Sequence, residues 1–501
     1  MPVLTIIHGV EFSAELEASL REFSAAGMVE IRENGGRAAP LEGLSWEIRG
    51  TPEKPLLHIW SEAYNLTRRV LAITDQSEHR LALSVERFGR LKPDRLEFIR
   101  RDFQRQAREV SRQEYCDRLR TILLQQFPDE TVDSLVTSED LEHSLPGTCA
   151  RGLLHRGSTY TAVLGVGERE SADTIAKSLT FALLWLERLR GSSAVRGSIG
   201  ELRVILPAKS SSGVAHLCGA LGRNVSVRLF ELDARSEVLE EVDIPAAGNL
   251  DSWLVPHREF AALLDRARPM LSPIVALAPR SITLHPVQGR VIVLRFRGLP
   301  LAYWEEGQVF LSLGESRQAV AGDARKVLAP KIHELDSHRN PLASDTRHAL
   351  YRAQPERWLE SLIREDVTRV DAALDPRFAY SQVFANAGTD HGILDLLCVT
   401  RSGRLAILEL KASEHIHLPL QAADYWLRIR RHLQQDDFPR YGYFPGVTLQ
   451  KTAPLVYLVA PALRFHPTTD VLVRYLASDI DVARVGLAES WRRGLRVVMR
   501  H

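Results

Sequence analysis

Residues 392–411 read Gly392-Ile-Leu-Asp395-Leu-Leu-Cys-Val-Thr400, Arg401-Ser402-Gly403-Arg404, then Leu405-Ala-Ile-Leu-Glu409-Leu-Lys411. Two apolar runs flank a turn, the pattern of a hairpin inside a sheet covered on both faces. Asp395, Glu409 and Lys411 interrupt those runs. An ionised group in such a place costs several kcal/mol unless it is paired or binds a metal. Two acids and one lysine do not neutralise each other. The residual negative charge calls for a cation, and Mg²⁺ between carboxylates suits it.

Glu409 and Lys411 are two residues apart, so in an extended strand they share a face. Whether Asp395 joins them depends on the turn. A two-residue loop at Ser402-Gly403 pairs Asp395 with Leu410 and turns its carboxylate to the wrong side. A three-residue loop, Arg401 to Gly403, pairs Thr400 with Arg404 and sets Asp395 opposite Glu409. Gly403 then occupies the left-handed position such a loop requires. The odd register is therefore expected, or an equivalent bulge in the second strand.

Asp395, thirteen residues, then Glu409-Leu-Lys411 resembles the core motif of the PD-(D/E)XK nuclease superfamily, the restriction-endonuclease-like fold. Gln421-Ala-Ala-Asp-Tyr425 is similar to the Gln-xxx-Tyr element of its RecB-type branch. Pro419 suits a first helical turn, which places Gln421 and Tyr425 one turn apart on one face. Pro355-Glu356-Arg-Trp-Leu-Glu360 opens an amphipathic helix, where the superfamily often carries one more acid. Glu356 and Glu360 both qualify. Trp358-Leu359-Glu360 favours Glu360, leaving Glu356 as a solvated partner of an arginine. The strand acid is Glu rather than the Asp more usual in that branch. Without a cysteine framework, the iron–sulfur cluster of some members is not carried over.

The resemblance covers about residues 350–501 and implies an α-β-β-β-α-β core with its first strand near Phe378–Phe384. It implies metal-dependent phosphodiester hydrolysis, with Mg²⁺ (Mn²⁺ substituting) on Asp395, Glu409 and Glu360. Lys411 would orient the attacking water or stabilise the transition state. Gln421 would hydrogen-bond a nucleotide or the water network, and Tyr425 would pack or touch phosphate. Arg428, Arg430 and Arg431 continue the same helix, towards a backbone or as its exposed face. Asp390 is a reserve acid beside His391. His415 and His417 suit contact with phosphate or solvent better than a hard metal ion. The alternative for Glu409 and Lys411 is a structural ion pair on an edge strand. Only eight of the 64 basic residues are lysines, so a compact ammonium in this strand stands out.

The 501 residues, 45% hydrophobic and 25% charged, describe an ordinary globular chain of two or three domains. Cys116, Cys149, Cys218 and Cys398 lie far apart, which argues against structural zinc and a disulfide framework and suits a reducing cytoplasm. No signal peptide and no membrane span are expected. The net charge of +1 leaves phosphate contacts to local patches.

The fold class expected is multidomain α/β. Residues 1–145 read as a β-rich region with a long helix, about Pro93 to Phe127. On it Arg101, Arg105, Arg108 and Arg112 form a stripe that could follow a phosphate backbone or simply face solvent. Residues 149–330 read as an α/β domain of βαβαβ order, with a small antiparallel sheet over 282–313. Its Gly165-Val-Gly167 and Lys209-Ser-Ser-Ser-Gly213 fit neither a dinucleotide fingerprint nor a phosphate loop. The polar stretch 314–348 reads as a linker into a nuclease domain at 345–501. The function expected is a DNA nuclease of defence or repair. The alternatives are an effector nuclease gated by a small nucleotide or protein through its middle domain, and an inactive nucleic-acid-binding scaffold.

Overall fold

The computed structural model describes residues 12–25, 29–34, 39–41, 44–51, 54–60, 65–77, 80–86, 93–193, 195–287, 291–313, 316–381, 383–385 and 394–501. Asp390 and His391 lie outside them. The chain is a mixed α/β protein of two units, Met1–Arg118 and Leu119–His501. Among the described residues no helix is long and apolar enough to cross a membrane.

In the first unit a seven-stranded sheet carries a helix, Phe12–Ala25. Phe12, Leu16, Leu20 and Phe23 form a stripe at helical spacing and pack on Ile31, Leu57, Ile59, Leu83 and Phe98 of the sheet. The sequence reading missed this helix and began the long one too early. Asp94–Arg100 is a strand between Val29–Glu33 and Arg80–Glu86, and the helix runs over Arg101–Gln126.

The second unit contains a six-stranded sheet over 131–241. Thr159–Val166, Ser198–Pro207 and Val227–Leu232 run parallel there, as the βαβαβ reading required. A five-stranded antiparallel sheet follows over 282–319. The stretch read as a linker is ordered structure. It holds the last strand of that sheet, Ser316–Ala319, and a helix, Ala324–His338. Asp323 caps this helix by accepting from the Arg325 amide, and Leu328, Ile332 and Leu335 pack on Ile292, Leu294 and Phe296. Three buried positions in fifteen residues are enough for one packed face, and the charged residues around them hid it.

The third sheet carries the hairpin. Helix α1 (Pro355–Glu365) precedes strand β1 (Leu374–Tyr380), β2 (Leu396–Thr400) and β3 (Leu405–Leu410). Helix α2 (Leu418–Gln434) and strands β4 (Leu455–Pro461), β5 (Asp481–Leu487) and β6 (Val497–Arg500) follow. Spatial order equals chain order. The meander β1-β2-β3 is antiparallel, β4 and β5 run parallel to β3, and β6 is antiparallel. The two helices cover opposite faces. Trp358, Leu359 and Ile363 of α1 pack on Leu396, Cys398, Ala406, Leu408 and Leu410. Tyr425, Trp426 and Ile429 of α2 share a core with Leu397, Val399, Leu405 and Ile407. This strand-by-strand alternation is why both runs read as uninterrupted apolar sequence.

That second core continues into the middle layer through Leu164 and Val204 of its sheet and Leu183 and Trp185 of the helix Ser178–Arg190. The stretches read as separate domains, 149–330 and 345–501, thus bury apolar side chains against each other.

Candidate active site

The hairpin has the odd register. Leu396 pairs with Leu408 and Val399 with Leu405, and the Thr400 amide donates to the Arg404 carbonyl at 2.8 Å. Gly403 closes the three-residue loop at φ +90°, where an added Cβ would collide with the Thr448 carbonyl oxygen. Continuing the pairing sets Asp395 opposite Glu409, just before β2 begins. Asp395 Oδ2 there accepts the Leu410 amide at 2.9 Å, a side chain standing in for a missing ladder bond.

Lys411 Nζ donates to Glu409 Oε1 at 2.9 Å, and Glu409 is fully buried. Burial, and after it the charge of Asp395, push the Glu409 carboxyl up to about 8, against the pull of Lys411. Burial likewise raises Asp395 to about 6, opposed by Lys411 and the Leu410 amide. Burial favours neutral Lys411, but Glu409 and Asp395 outweigh it and its pKa is raised. The two carboxyls are like charges in one dry place, so they titrate as a pair. Near neutral pH that pair keeps a proton, and one negative charge faces one ammonium.

Helix α1 brings two more acids. Pro355 opens it after Gln354, which sits at φ +40°. The buried Arg339 fixes this start: its guanidinium donates to the carbonyls of Leu350 (2.8 Å), Ala353 (2.6 Å) and Arg297 (2.9 Å) and lies 4.6 Å from the centre of the Trp358 ring. Burial, then neighbouring Arg492 and Arg297, pull its pKa down to about 9.

The roles expected for the two α1 acids are redistributed. Glu356 is no solvated partner of an arginine, since its Oε1 accepts the Ala412 amide at 3.3 Å and so reaches the residue after Lys411. Glu360 is the one that holds an arginine: Arg357 Nη1 lies 2.6 Å from Glu360 Oε2 and 4.0 Å from Asp395 Oδ1. Sequence reasoning missed Arg357. Its i,i+3 spacing to Glu360 was visible, but surface helix pairs look the same.

Glu360 and Glu409, 2% and 0% exposed, each keep one carboxylate oxygen without a hydrogen-bond partner, Oε1 and Oε2 respectively. Buried carboxylate oxygens are costly to leave so. With Asp395 they offer only oxygen donors, the kind a hard divalent cation such as Mg²⁺ or Mn²⁺ prefers. As they stand, with the Arg357 guanidinium between Glu360 and Asp395, no three His, Cys, Asp or Glu side chains among the described residues are placed to hold a metal ion.

Gln421 Nε2 lies 3.4 Å from the Tyr425 hydroxyl. Tyr425 is 1% exposed, and burial with the charges of Glu409 and Asp395 raises its pKa. It packs beneath the acids and presents no face to a nucleic acid.

The arginines of α2 are likewise occupied. Arg428 pairs with Asp424 at 3.1 Å, Arg430 with Asp479 at 2.6 Å, and Arg431 donates to the Leu250 carbonyl at 2.7 Å. Next to them His432 joins Ser252 (2.9 Å) and Asp437 (2.7 Å). Arg431 and His432 anchor segment 249–252, whereas Arg428 pairs within its own helix.

His415 and His417 are half-buried. His417 meets the Thr180 hydroxyl at 2.9 Å and the Phe181 ring edge-on at 5.1 Å. Burial pushes them down to about 4 and about 3, so both are neutral. On the long helix Arg108 is exposed and Arg112 half-buried, while the side chains of Arg101 and Arg105 lie outside the described residues.

A comparison with known protein families finds no matching family model, and one with curated proteins finds no match.

Proposed function

We propose that the Leu119–His501 unit is a divalent-metal-dependent nuclease of the PD-(D/E)XK type, hydrolysing phosphodiester bonds of nucleic acid, with DNA as the preferred substrate. One observation carries the reading. Asp395 and Glu409 stand opposite each other on antiparallel strands, Lys411 shares their face, and the helix acid Glu360 and Glu409 each keep a bare buried oxygen. The helix–three strands–helix–strand order around them supports it.

Asp395, Glu409 and Glu360 would hold the ion, which supplies positive charge at the scissile phosphate and makes water more acidic. The chain's own groups do the remainder. The Lys411 ammonium donates to an attacking water or to a phosphate oxygen while Glu409 fixes its position. The Leu410 amide and the Ala412 amide hold Asp395 and Glu356 at fixed angles. Gln421, half-buried above Tyr425, offers an amide to the water network. Apolar packing on both faces of the hairpin excludes bulk water and strengthens each of these interactions.

Incubating the purified chain with single- and double-stranded DNA and RNA, in Mg²⁺ or EDTA, tests this. Cleavage should need the metal and vanish in Asp395→Asn. Cleavage by that variant at the rate of the unaltered protein contradicts it.

A gated form of the same activity has an observation of its own. A cleft of about 510 Å³ is lined by Leu141, Phe181, Glu414, Ile416 and His466. It lies between the middle layer and the loop that follows Lys411, so a ligand filling it presses on that loop. Phe181→Ala, remote from the acids, should then change the cleavage rate.

A further inference from the structure

We propose that Arg357 is a resident counter-ion: its guanidinium holds the place between Glu360 and Asp395 that a divalent ion takes, and the ion expels it on binding. This rests on the nuclease reading of the site. The geometry comes first. The guanidinium is 2.6 Å from Glu360 and 4.0 Å from Asp395, so one cation already bridges two of the three proposed ligands. Glu409, the third, also acts on it through its charge.

The backbone at Arg357 is closely packed. Gly298 sits at φ +87°, and a Cβ there would collide with the Arg357 carbonyl and Cβ. The small antiparallel sheet is thus pressed against the first turn of α1. The side chain is partly open, with 23% of its surface exposed, which leaves it room to swing. Arginine suits such a role, because a long stem and a planar fork give a strong pair that can still swing away as a unit.

Chemistry gives the direction of exchange. The guanidinium satisfies Glu360 Oε2 and leaves Oε1 bare, along with Glu409 Oε2. A divalent ion brings twice the charge and coordinates oxygens that an N–H fork does not reach. In the resting site Arg357 and Lys411 offset most of the carboxylate charge, which keeps the acids close together without metal. Metal affinity is correspondingly lower than that of the same acids without the arginine.

Calorimetric titration of Mn²⁺ into the full chain, without nucleic acid, reads this directly. Arg357→Gln should bind Mn²⁺ about ten- to a hundredfold more tightly, the worth of one charged hydrogen bond, and Asp395→Asn should lose binding. Affinity unchanged or weaker in Arg357→Gln, with binding still lost in Asp395→Asn, overturns the counter-ion and spares the nuclease reading. No Mn²⁺ binding by the unaltered chain overturns both.

A crystal structure of the unaltered chain with Mn²⁺, located by anomalous scattering, needs no variant. The guanidinium should have left Glu360. Mn²⁺ bound with the Arg357–Glu360 pair intact overturns the proposal.

Discussion

Replacing Glu409 with glutamine should make the metal-free protein more stable at alkaline pH, although it removes a central residue of the site. Burial holds the Glu409 carboxyl at about 8, from an ordinary 4.5. The folded protein therefore keeps a proton that the unfolded chain releases. Stability from this group is full below pH 4.5 and is lost as pH rises through about 8. Between pH 5.5 and 8 the two titration curves differ by about 3 kcal/mol. Glutamine fills the same volume, still accepts from Lys411, and has no charge to bury. Other groups titrate in this range, so the quantity to read is the difference between the two proteins in EDTA. Thermal unfolding and amide exchange of residues 405–410 both report it. The variant's advantage should be near 3 kcal/mol larger at pH 8 than at pH 5.5. An advantage independent of pH, or a variant that loses ground at pH 8, refutes the assignment of a buried, proton-retaining carboxyl.

Lys411→Ala should keep the fold and lower the cleavage rate by about a hundredfold or more, measured as single-turnover rate at saturating Mg²⁺. Because the acid pair gives up its proton to bind metal, the Mg²⁺ concentration for half-maximal cleavage should fall as pH rises from 6 to 8.5, read from titrations across that range. Gly403→Ala forces a side chain into a left-handed turn against Thr448 and should cost about 2–4 kcal/mol, read by urea unfolding. Arg339→Lys keeps a charge but leaves several carbonyls of the α1 entry unmet. It should cost about 2–3 kcal/mol and weaken Mn²⁺ binding.

The hairpin was legible in the sequence because strand periodicity has only two outcomes and Gly403 selects one. Its neighbours Gln421 and Tyr425 followed from helical spacing. The helix Ala324–His338 was not legible, since its buried face is three residues wide in a polar stretch. The duty of Arg431 was hidden for another reason. Asp424 stands one helical turn before Arg428 and was within reach of sequence spacing, but only tertiary structure supplies Arg431 with the Leu250 carbonyl far along the chain. The partners of Glu356 and Glu360 were hidden for the same reason: the Ala412 amide and the choice of Arg357 come only with the fold. The shared core of the middle and terminal sheets likewise leaves no local mark. Leu183 and Leu405 look like any core leucine.

The central claim is that these carboxylates are kept in an unfavourable place because the chemistry needs them there. Glu409→Gln tests it in a single preparation, by Mg²⁺-dependent cleavage of DNA and unfolding in EDTA, both at pH 8. The account predicts a protein that is more stable than the original and cleaves nothing. A variant that is less stable, or that cleaves at the original rate, contradicts it.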